Sequence, residues 1–130
     1  MSIESIVTAG GRFAYDRMHF SEAMKADGFV FCSGVIGTDA KGKLPATKTE
    51  EFHNAWRKIG ELLGEAGCGY GDIVECTTYH VNFRDHIGEF SAIRDEYLGE
   101  PWPAWTAIGI TELLVPDACV EIRVTARVPS

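Results

Sequence analysis

Glu121 and Arg123 are the two residues whose types and spacing most clearly suggest chemistry. Residues Cys119–Val128 alternate apolar and polar side chains, which predicts a half-buried strand. Both charged side chains then project from the face opposite Val120 and Ile122. The carboxylate either forms an ion pair with the arginine, or it faces a cleft and holds a water or protonates a ligand. The guanidinium is likewise an ion-pair partner or a two-pronged anion clamp.

Four further positions carry weaker signals. Trp102 and Trp105 flank a Pro-Ala step that stiffens the chain. They serve either as core or interface anchors or as the wall of an apolar pocket. Ser33 with the following glycine has the composition of a turn, although amides at a strand end also hold ligand oxygens. Cys119 is expected to pack inertly in a strand.

Composition argues against several kinds of protein. A net charge of −7 and a pI near 5.0 oppose a broad phosphate-binding surface, so nucleic acid is not an expected partner. No apolar run approaches the roughly 18 residues that span a membrane, and no secretory leader is evident. The four cysteines form no CxxC pair and no histidine has a partner at ligand spacing. We therefore expect a cytoplasmic protein with reduced thiols and no metal site.

Local signals predict the first elements that position these residues. A β-hairpin is predicted for His19–Ala26 and Phe29–Val35, because the Asp-Gly step between them suits two positive φ angles. Residues 1–17 are interpreted as an irregular lead-in. The apolar stripe over Thr47–Ala66 predicts a helix, with Thr47 and a glutamate three residues later as a capping box. Gly67 is placed to end this helix.

The second half of the chain supplies two more strands and a helix before the strand that carries Glu121. Strands are predicted for Ile73–Asn82 and Trp105–Glu112, and a helix for Asp85–Leu98. The order β-β-α-β-α-β-β predicts the α+β class in one domain, residues 1–130, with two helices packed on one face of a mixed sheet. The other face is left to solvent or to a partner subunit.

Three segments resemble the RidA family, also called the YjgF family or endoribonuclease L-PSP. They are FSEAMKADGFVFCSGVIGTD, LLGEAGCGYGDIVECTTYHV and the pair PAWTAIGI and VEIRVTARVP. The resemblance covers roughly residues 17 to 129 in the family's order. It implies a chorismate-mutase-like fold, a homotrimer and small-molecule clefts between subunits. Family members that act as enamine/imine deaminases use neither metal nor cofactor.

The resemblance also implies a set of site residues. The family anchors its substrate carboxylate with an arginine in a Pro-Ala-Arg-Ser signature, and the matching position here is Trp105, followed by Thr106. The family glutamate matches Glu121, the hairpin serine matches Ser33, and the hairpin tyrosine is replaced by Phe20. The chain is therefore similar to the arginine-lacking, YjgH-like branch of the superfamily. Indole offers one donor and no charge, so a 2-imino acid is expected to bind poorly.

Several functions follow as hypotheses. The leading one is a trimer that binds a small molecule, with hydrolysis of imines or related C=N compounds that lack a carboxylate. Glu121 would position or protonate the attacking water, Ser33 would orient the ligand, and Trp105 would wall the cleft. A second hypothesis keeps the usual 2-imino acid reaction, with Arg123 or Arg94 as the anchor. A non-catalytic sensor or chaperone-like protein is a third, and an endoribonuclease is the least favoured.

Overall fold

A mixed sheet of seven strands forms one layer of the computed structural model, which describes residues 2–130. The strands are β1 (Glu4–Ile6), β2 (Ala23–Ala26), β3 (Phe29–Cys32), β4 (Val35–Ile36), β5 (Ile73–Val81), β6 (Ala104–Ile110) and β7 (Val120–Arg127). Their order across the sheet is β1-β2-β3-β7-β5-β6, and β4 also pairs with β7. Strands β5 and β6 are parallel, whereas every other pairing is antiparallel.

Two helices, α1 (Lys48–Glu65) and α2 (Phe83–Arg94), pack on one face of this sheet. The core lies between the two layers, where Trp56 of α1 and Phe90 of α2 are fully buried against Ile122 of β7. The predicted α+β class with both helices on one face is confirmed. Within residues 2–130, no helix combines the length and the apolar character that crossing a membrane requires.

The predicted hairpin turn is confirmed, because Asp27 and Gly28 have φ angles of 51° and 82°. Strand β2 nevertheless begins four residues later than predicted. A turn of π-helix at Ala14–Met18 ends at His19, whose φ of 62° is left-handed and interrupts an extended backbone. The sequence alone gave no indication of this turn.

The interpretation of residues 1–17 as an irregular lead-in was wrong. Strand β1 pairs with β2 at the sheet edge, with Glu4 opposite Lys25. The carboxylate of Glu22 accepts hydrogen bonds from the Thr8 amide at 2.6 Å and its hydroxyl at 2.8 Å. These contacts join positions 14 residues or more apart, so no local pattern signals them.

The first helix follows its prediction closely, whereas the second is displaced. Thr47 caps α1 by accepting a hydrogen bond from the Glu50 amide at 3.2 Å, and Gly67 follows with a φ of 83°. Helix α2 begins two residues before the predicted start, after Asn82 in the left-handed region. It ends four residues before the predicted end, where turns continue to Leu98.

The two strands predicted at the end of the chain, now β6 and β7, are not neighbours. Strand β5 lies between them, parallel to β6 and antiparallel to β7. A parallel neighbour needs a crossover connection, and α2 supplies it between β5 and β6. This order places Glu121 beside Tyr79 in the middle of the sheet rather than at its edge.

Candidate functional site

The sheet face away from the helices, here called the open face, carries Glu121 and Arg123 of β7. In the register of the sheet, Glu121 lies beside Tyr79 of β5, and Arg123 lies beside Thr77. Thr106 of β6 flanks Thr77 from the other side. Side chains that are directly opposite in neighbouring strands share a face. The structure therefore brings Glu121, Arg123 and Thr106 to one surface.

Glu121 is half-buried on this face and lies against Gly34 at the end of the hairpin. A β-carbon at position 34 would come within 2.4 Å of the Glu121 carboxyl carbon, so the glycine makes room for the side chain. No residue among 2–130 donates a hydrogen bond to this carboxyl group. Burial raises its pKa above the ordinary value. A carboxyl group in this state retains its proton to higher pH.

Arg123 does not form the ion pair with Glu121 that was one of the two sequence-based alternatives. The ion pairs of residues 2–130 join Arg12 with Asp16, Arg57 with Glu50, and Arg94 with Asp95. Arg123 is exposed and projects from the open face two residues from Glu121. Its guanidinium is therefore available to bind an anion.

Phe20 and Ser33 line a cavity of about 530 Å³ beside the hairpin. The Ser33 hydroxyl donates to the Ser21 carbonyl at 2.7 Å, which leaves its oxygen available as an acceptor. Gly34, which follows Ser33 directly in the chain, contacts Glu121. The other residues that line the cavity were not predicted from the sequence; they are Tyr15, His19, Ser21, Met24 and Phe31.

Trp105 lies on the other face of the sheet, on the edge strand beneath α2. Its indole nitrogen donates to the Thr78 hydroxyl at 3.0 Å, and its ring is 6.3 Å from that of Phe90 between centroids. It is half-buried, so part of the ring remains at the sheet edge. Within one chain, Trp105 and Glu121 are therefore on opposite faces. The packing fits the interpretation of Trp105 as a core anchor.

Arg94, the second candidate anchor, also lies on the helix side. Its guanidinium carbon is 4.5 Å from the centroid of the Trp105 ring and 5.5 Å from that of Trp102. It pairs with Asp95 at 3.1 Å and is only 6% exposed. Of the two arginines, Arg123 alone shares a face with Glu121.

A buried carboxylate that sequence reasoning missed is Glu51, which is 4% exposed on α1. It accepts hydrogen bonds from the amides of Cys119 and Val120 at 2.8 and 3.3 Å, and from the Cys119 thiol at 3.0 Å. Cys119 thus turns toward α1 rather than sharing the face of Glu121, because the strand begins only at Val120. Burial, together with Glu51, raises the pKa of the thiol to about 12. The sequence feature that could have indicated its burial is its place on the apolar face of α1, four residues before Ala55.

Three buried polar residues, Thr78, His80 and His86, were also missed as a group. The Thr78 hydroxyl is 2.7 Å from His80 Nε2, and His80 Nδ1 is 3.1 Å from His86 Nε2. Thr78 and His80 alternate with Cys76 on the helix side of β5, so strand periodicity was the available signal. Within the described chain, no three His, Cys, Asp or Glu residues are grouped to hold a metal ion.

With this fold and site in view, comparison with known proteins gives the family. Residues 14–128 match the family model described as Endoribonuclease L-PSP. The chain therefore belongs to this family, the RidA/YjgF superfamily, as the resemblance predicted.

Particular relatives refine the placement. The RutC family protein YjgH of Escherichia coli K12 is 28% identical over 126 residues, covering 96% of this chain and 95% of that protein. A 2-iminobutanoate/2-iminopropanoate deaminase from Capra hircus is 33% identical over 99 residues, covering 72% of this chain and 69% of that protein. The family thus includes imine deaminases as well as YjgH.

Solved structures agree on the fold. The YjgH structure superposes with a TM-score of 0.88 at 26% identity, covering 100% of this chain and 99% of that one. A member of the YjgF/YER057c/UK114 family from Mycobacterium tuberculosis gives a TM-score of 0.83 at 24% identity, covering 98% of this chain and all of that one.

Proposed function

We propose that this chain forms a homotrimer that binds a small molecule in clefts between subunits. We further propose that it hydrolyses imines or related C=N compounds that carry no carboxylate. The observation that supports the proposal best is Glu121, a half-buried carboxyl group without a partner among residues 2–130. The position that matches the family's arginine holds Trp105, which brings no charge.

The open face supports the proposed association of several copies. Phe29, Phe31 and Ile108 are 37%, 43% and 40% exposed on it, although they are large apolar side chains. Large apolar side chains exposed on one sheet face are typical of a surface that another chain covers. In a trimer, the cavity at Phe20 and the edge at Trp105 would be completed by neighbouring copies.

The proposed reaction needs one proton donor and one water. Glu121 in its acid form gives a proton to the imine nitrogen, and water adds to the carbon of the C=N bond as it gives a proton back to the Glu121 carboxylate. The carbinolamine then loses ammonia as the C–N bond breaks, and the carbonyl product forms. One imine and one water give one carbonyl compound and one ammonia. A raised pKa suits Glu121 to this role, because more of the acid form is present near neutral pH.

The replacement at position 105 defines the proposed substrate class. A guanidinium–carboxylate contact contributes about 1.5–3 kcal/mol, which corresponds to roughly 10- to 150-fold in affinity. Trp105 cannot make this contact, and its indole donor already bonds to Thr78. Imines with an apolar substituent in place of the carboxylate are therefore the proposed substrates.

The decisive experiment compares two imine sources. An amine oxidase generates imines without a carboxylate, and an amino-acid oxidase generates 2-imino acids, with semicarbazide trapping whatever remains. We expect faster loss of the neutral imine, and a drop of at least about 100-fold in kcat for Glu121→Gln. Glu65→Gln, on the exposed side of α1, is the matched control and should retain full activity. Equal turnover by Glu121→Gln and the unaltered protein would refute the assignment.

A second candidate keeps the 2-imino acid as substrate and makes Arg123 its anchor. The observation in its favour is that Arg123 is exposed, free of ion pairs within the described chain, and on the face of Glu121. Preferential turnover of 2-imino acids, lost in Arg123→Lys but kept in Arg94→Lys, would establish it, since lysine cannot form the two-pronged contact. Saturable binding of an imine or its carbonyl product without turnover would instead indicate a sensor or chaperone-like protein.

The family name Endoribonuclease L-PSP also suggests ribonuclease activity, which the charge of this chain opposes. A net charge of −7 works against the phosphate contacts that dominate affinity for nucleic acid. RNA cleavage that persists through extra purification and disappears in Glu121→Gln would overturn this view.

A further inference from the structure

A chain of buried hydrogen bonds leads inward from Trp105. Its indole N–H bonds to the Thr78 hydroxyl at 3.0 Å, the hydroxyl is 2.7 Å from His80 Nε2, and His80 Nδ1 is 3.1 Å from His86 Nε2. Thr78 and His80 are fully buried and His86 is 4% exposed. Buried polar groups of this kind stabilise one arrangement only when every member finds a partner.

The direction of these bonds follows from the number of protons available. Indole nitrogen only donates, so Thr78 accepts from Trp105 and has one proton left to give. If it donates to His80 Nε2, then His80 Nδ1 donates to His86 Nε2. Among the side-chain polar atoms of Trp105, Thr78, His80 and His86, only His86 Nδ1 is then without a partner. In the reverse direction, His86 donates to His80 and His80 donates to Thr78. His86 Nδ1 is again unpaired, and the Thr78 hydroxyl proton has no acceptor among residues 2–130 either. The first arrangement leaves fewer buried groups unpaired.

This arrangement determines which atoms of the Trp105 side chain are exposed. Its N–H points inward to Thr78, and the Arg94 guanidinium stacks on its ring at 4.5 Å. The part of the ring that remains exposed at the sheet edge therefore consists of carbon alone. At the position that matches the family's arginine, this chain offers a ligand neither a charge nor a hydrogen-bond donor.

We propose that Thr78, oriented by His80 and His86, is a positioning residue that holds the Trp105 N–H away from the ligand and thereby selects an apolar substituent there. The identity of the ligand in this inference rests on the proposed function, whereas the position of Trp105 rests on the structure. Loss of the hydroxyl would release the indole donor, because a buried N–H without an acceptor is costly and favours rotation of the ring. The released indole N–H at the sheet edge would then donate a hydrogen bond to a substrate carboxylate.

The first test follows the Trp105 indole N–H by ¹H–¹⁵N NMR, with Trp105→Phe and Trp102→Phe to assign the signals. Trp102 is 50% exposed and provides the comparison. In the unaltered protein, the Trp105 N–H should exchange with solvent at least about tenfold more slowly than that of Trp102. Thr78→Val should abolish the difference and shift the signal upfield, whereas Thr78→Ser should keep both. Exchange of the two N–H groups at the same rate in the unaltered protein would overturn the inference, and this outcome does not depend on whether Thr78→Val folds.

The second test measures selectivity, as the ratio of kcat/KM for a neutral imine to that for a 2-imino acid. Thr78→Val should lower this ratio several-fold, and Thr78→Ser should restore it, which a merely structural role would not do. An unchanged ratio in a folded Thr78→Val overturns the selectivity part of the inference. If the unaltered protein turns over neither imine, the proposed function has failed, whereas the indole signal still decides the positioning of Trp105.

Discussion

Glu121 and Gly34 are in such close contact that a side chain at position 34 would force the Glu121 carboxyl group to move. A β-carbon there would lie 2.4 Å from the carboxyl carbon and 2.5 Å from Oε2 of Glu121. The glycine follows Ser33 in the link between β3 and β4, and β4 pairs with β7 so that Ile36 lies beside Glu121. This contact links the cavity at Ser33 to the proposed proton donor.

Gly34→Ala is expected to displace the Glu121 side chain and to impair both stability and turnover. The added methyl group overlaps with the carboxyl group, which lies at the end of a flexible, half-buried side chain and must move aside, so the cost to stability is about 1 kcal/mol, the lower end of the range for overpacking. Urea unfolding and the imine assay measure the two effects. Gly64→Ala is the control, because nothing lies within 4 Å of a β-carbon there, and removing a glycine from a helix should stabilise by about 0.5–1 kcal/mol. Normal stability and turnover in Gly34→Ala would contradict the contact.

Glu51→Ala is expected to lower the free energy of unfolding by roughly 2–5 kcal/mol. The carboxylate accepts from the amides of Cys119 and Val120, and its removal leaves buried donors without a partner. Glu50→Ala is the matched control at the preceding residue of α1, where an exposed ion pair to Arg57 contributes no more than about 1 kcal/mol. Equal effects of the two substitutions would show that Glu51 does not secure the start of β7.

Stability should fall as the pH is lowered from about 6.5 to 4, because His80 is buried in its neutral form. Burial, and then the neighbouring His86, lower the pKa of His80 from 6.5 to about 4. The unfolded chain therefore binds more protons than the folded chain in this window, so acid favours unfolding by about 2–3 kcal/mol. Burial also lowers the pKa of His86. The charge of Lys48 lowers this pKa further, whereas the carboxylates of Glu51, Asp85 and Glu89 act to raise it.

Urea unfolding at pH 7.5 and pH 4.5 measures this loss, and His80→Gln isolates it. Glutamine keeps polar groups near Thr78 but does not titrate, so the difference between the two pH values should shrink by about 2–3 kcal/mol. Glu121 acts in the opposite sense, because its raised pKa favours the folded state in acid. It is unchanged in the variant, and its effect therefore cancels in the comparison. The same pH dependence in both proteins would count against a neutral His80.

Thiol labelling should distinguish Cys68 from the other cysteines. Cys32, Cys76 and Cys119 are buried, and Cys68 is half-exposed. Burial raises the pKa of Cys32 and of Cys119 to about 12, so their thiolate fractions near neutral pH are negligible. A chromogenic thiol reagent at pH 8 should modify one of the four cysteines in the folded protein and all four in denaturant. Cys68→Ser should abolish labelling of the folded protein, and rapid labelling of Cys119 would contradict its burial against Glu51.

Local signals predicted much of this fold. The Asp27-Gly28 turn, the Thr47 cap and the Gly67 stop each depend on neighbouring residues, and the structure confirms all three. The face of Glu121 was also predictable, because alternation along one strand needs no knowledge of its partners. The strand order needed more than this. Pairing of β5 between β6 and β7 is a contact between distant segments that periodicity cannot reveal.

The candidate site was predicted in part, for the same reason. Glu121 was found from alternation, whereas Glu51 binds amides 68 and 69 residues away. The partners of Trp105 are similarly remote, since Thr78 lies 27 residues earlier in the chain. Sequence reasoning identified what Trp105 replaces in the family signature. It could not show that the indole donor is already occupied.

The order of strands has a consequence for synthesis of the chain. Strand β7 joins the hairpin side of the sheet to the β5–β6 side, and the ribosome makes it after all of its partners. Until then, β3 and β5 both present unpaired backbone groups at open edges, and only contacts distant in sequence can close them. Before β7 is available, the two parts of the sheet therefore expose strand edges that can pair with other chains. Chaperone demand and aggregation should be greatest just before Val120–Arg127 emerges.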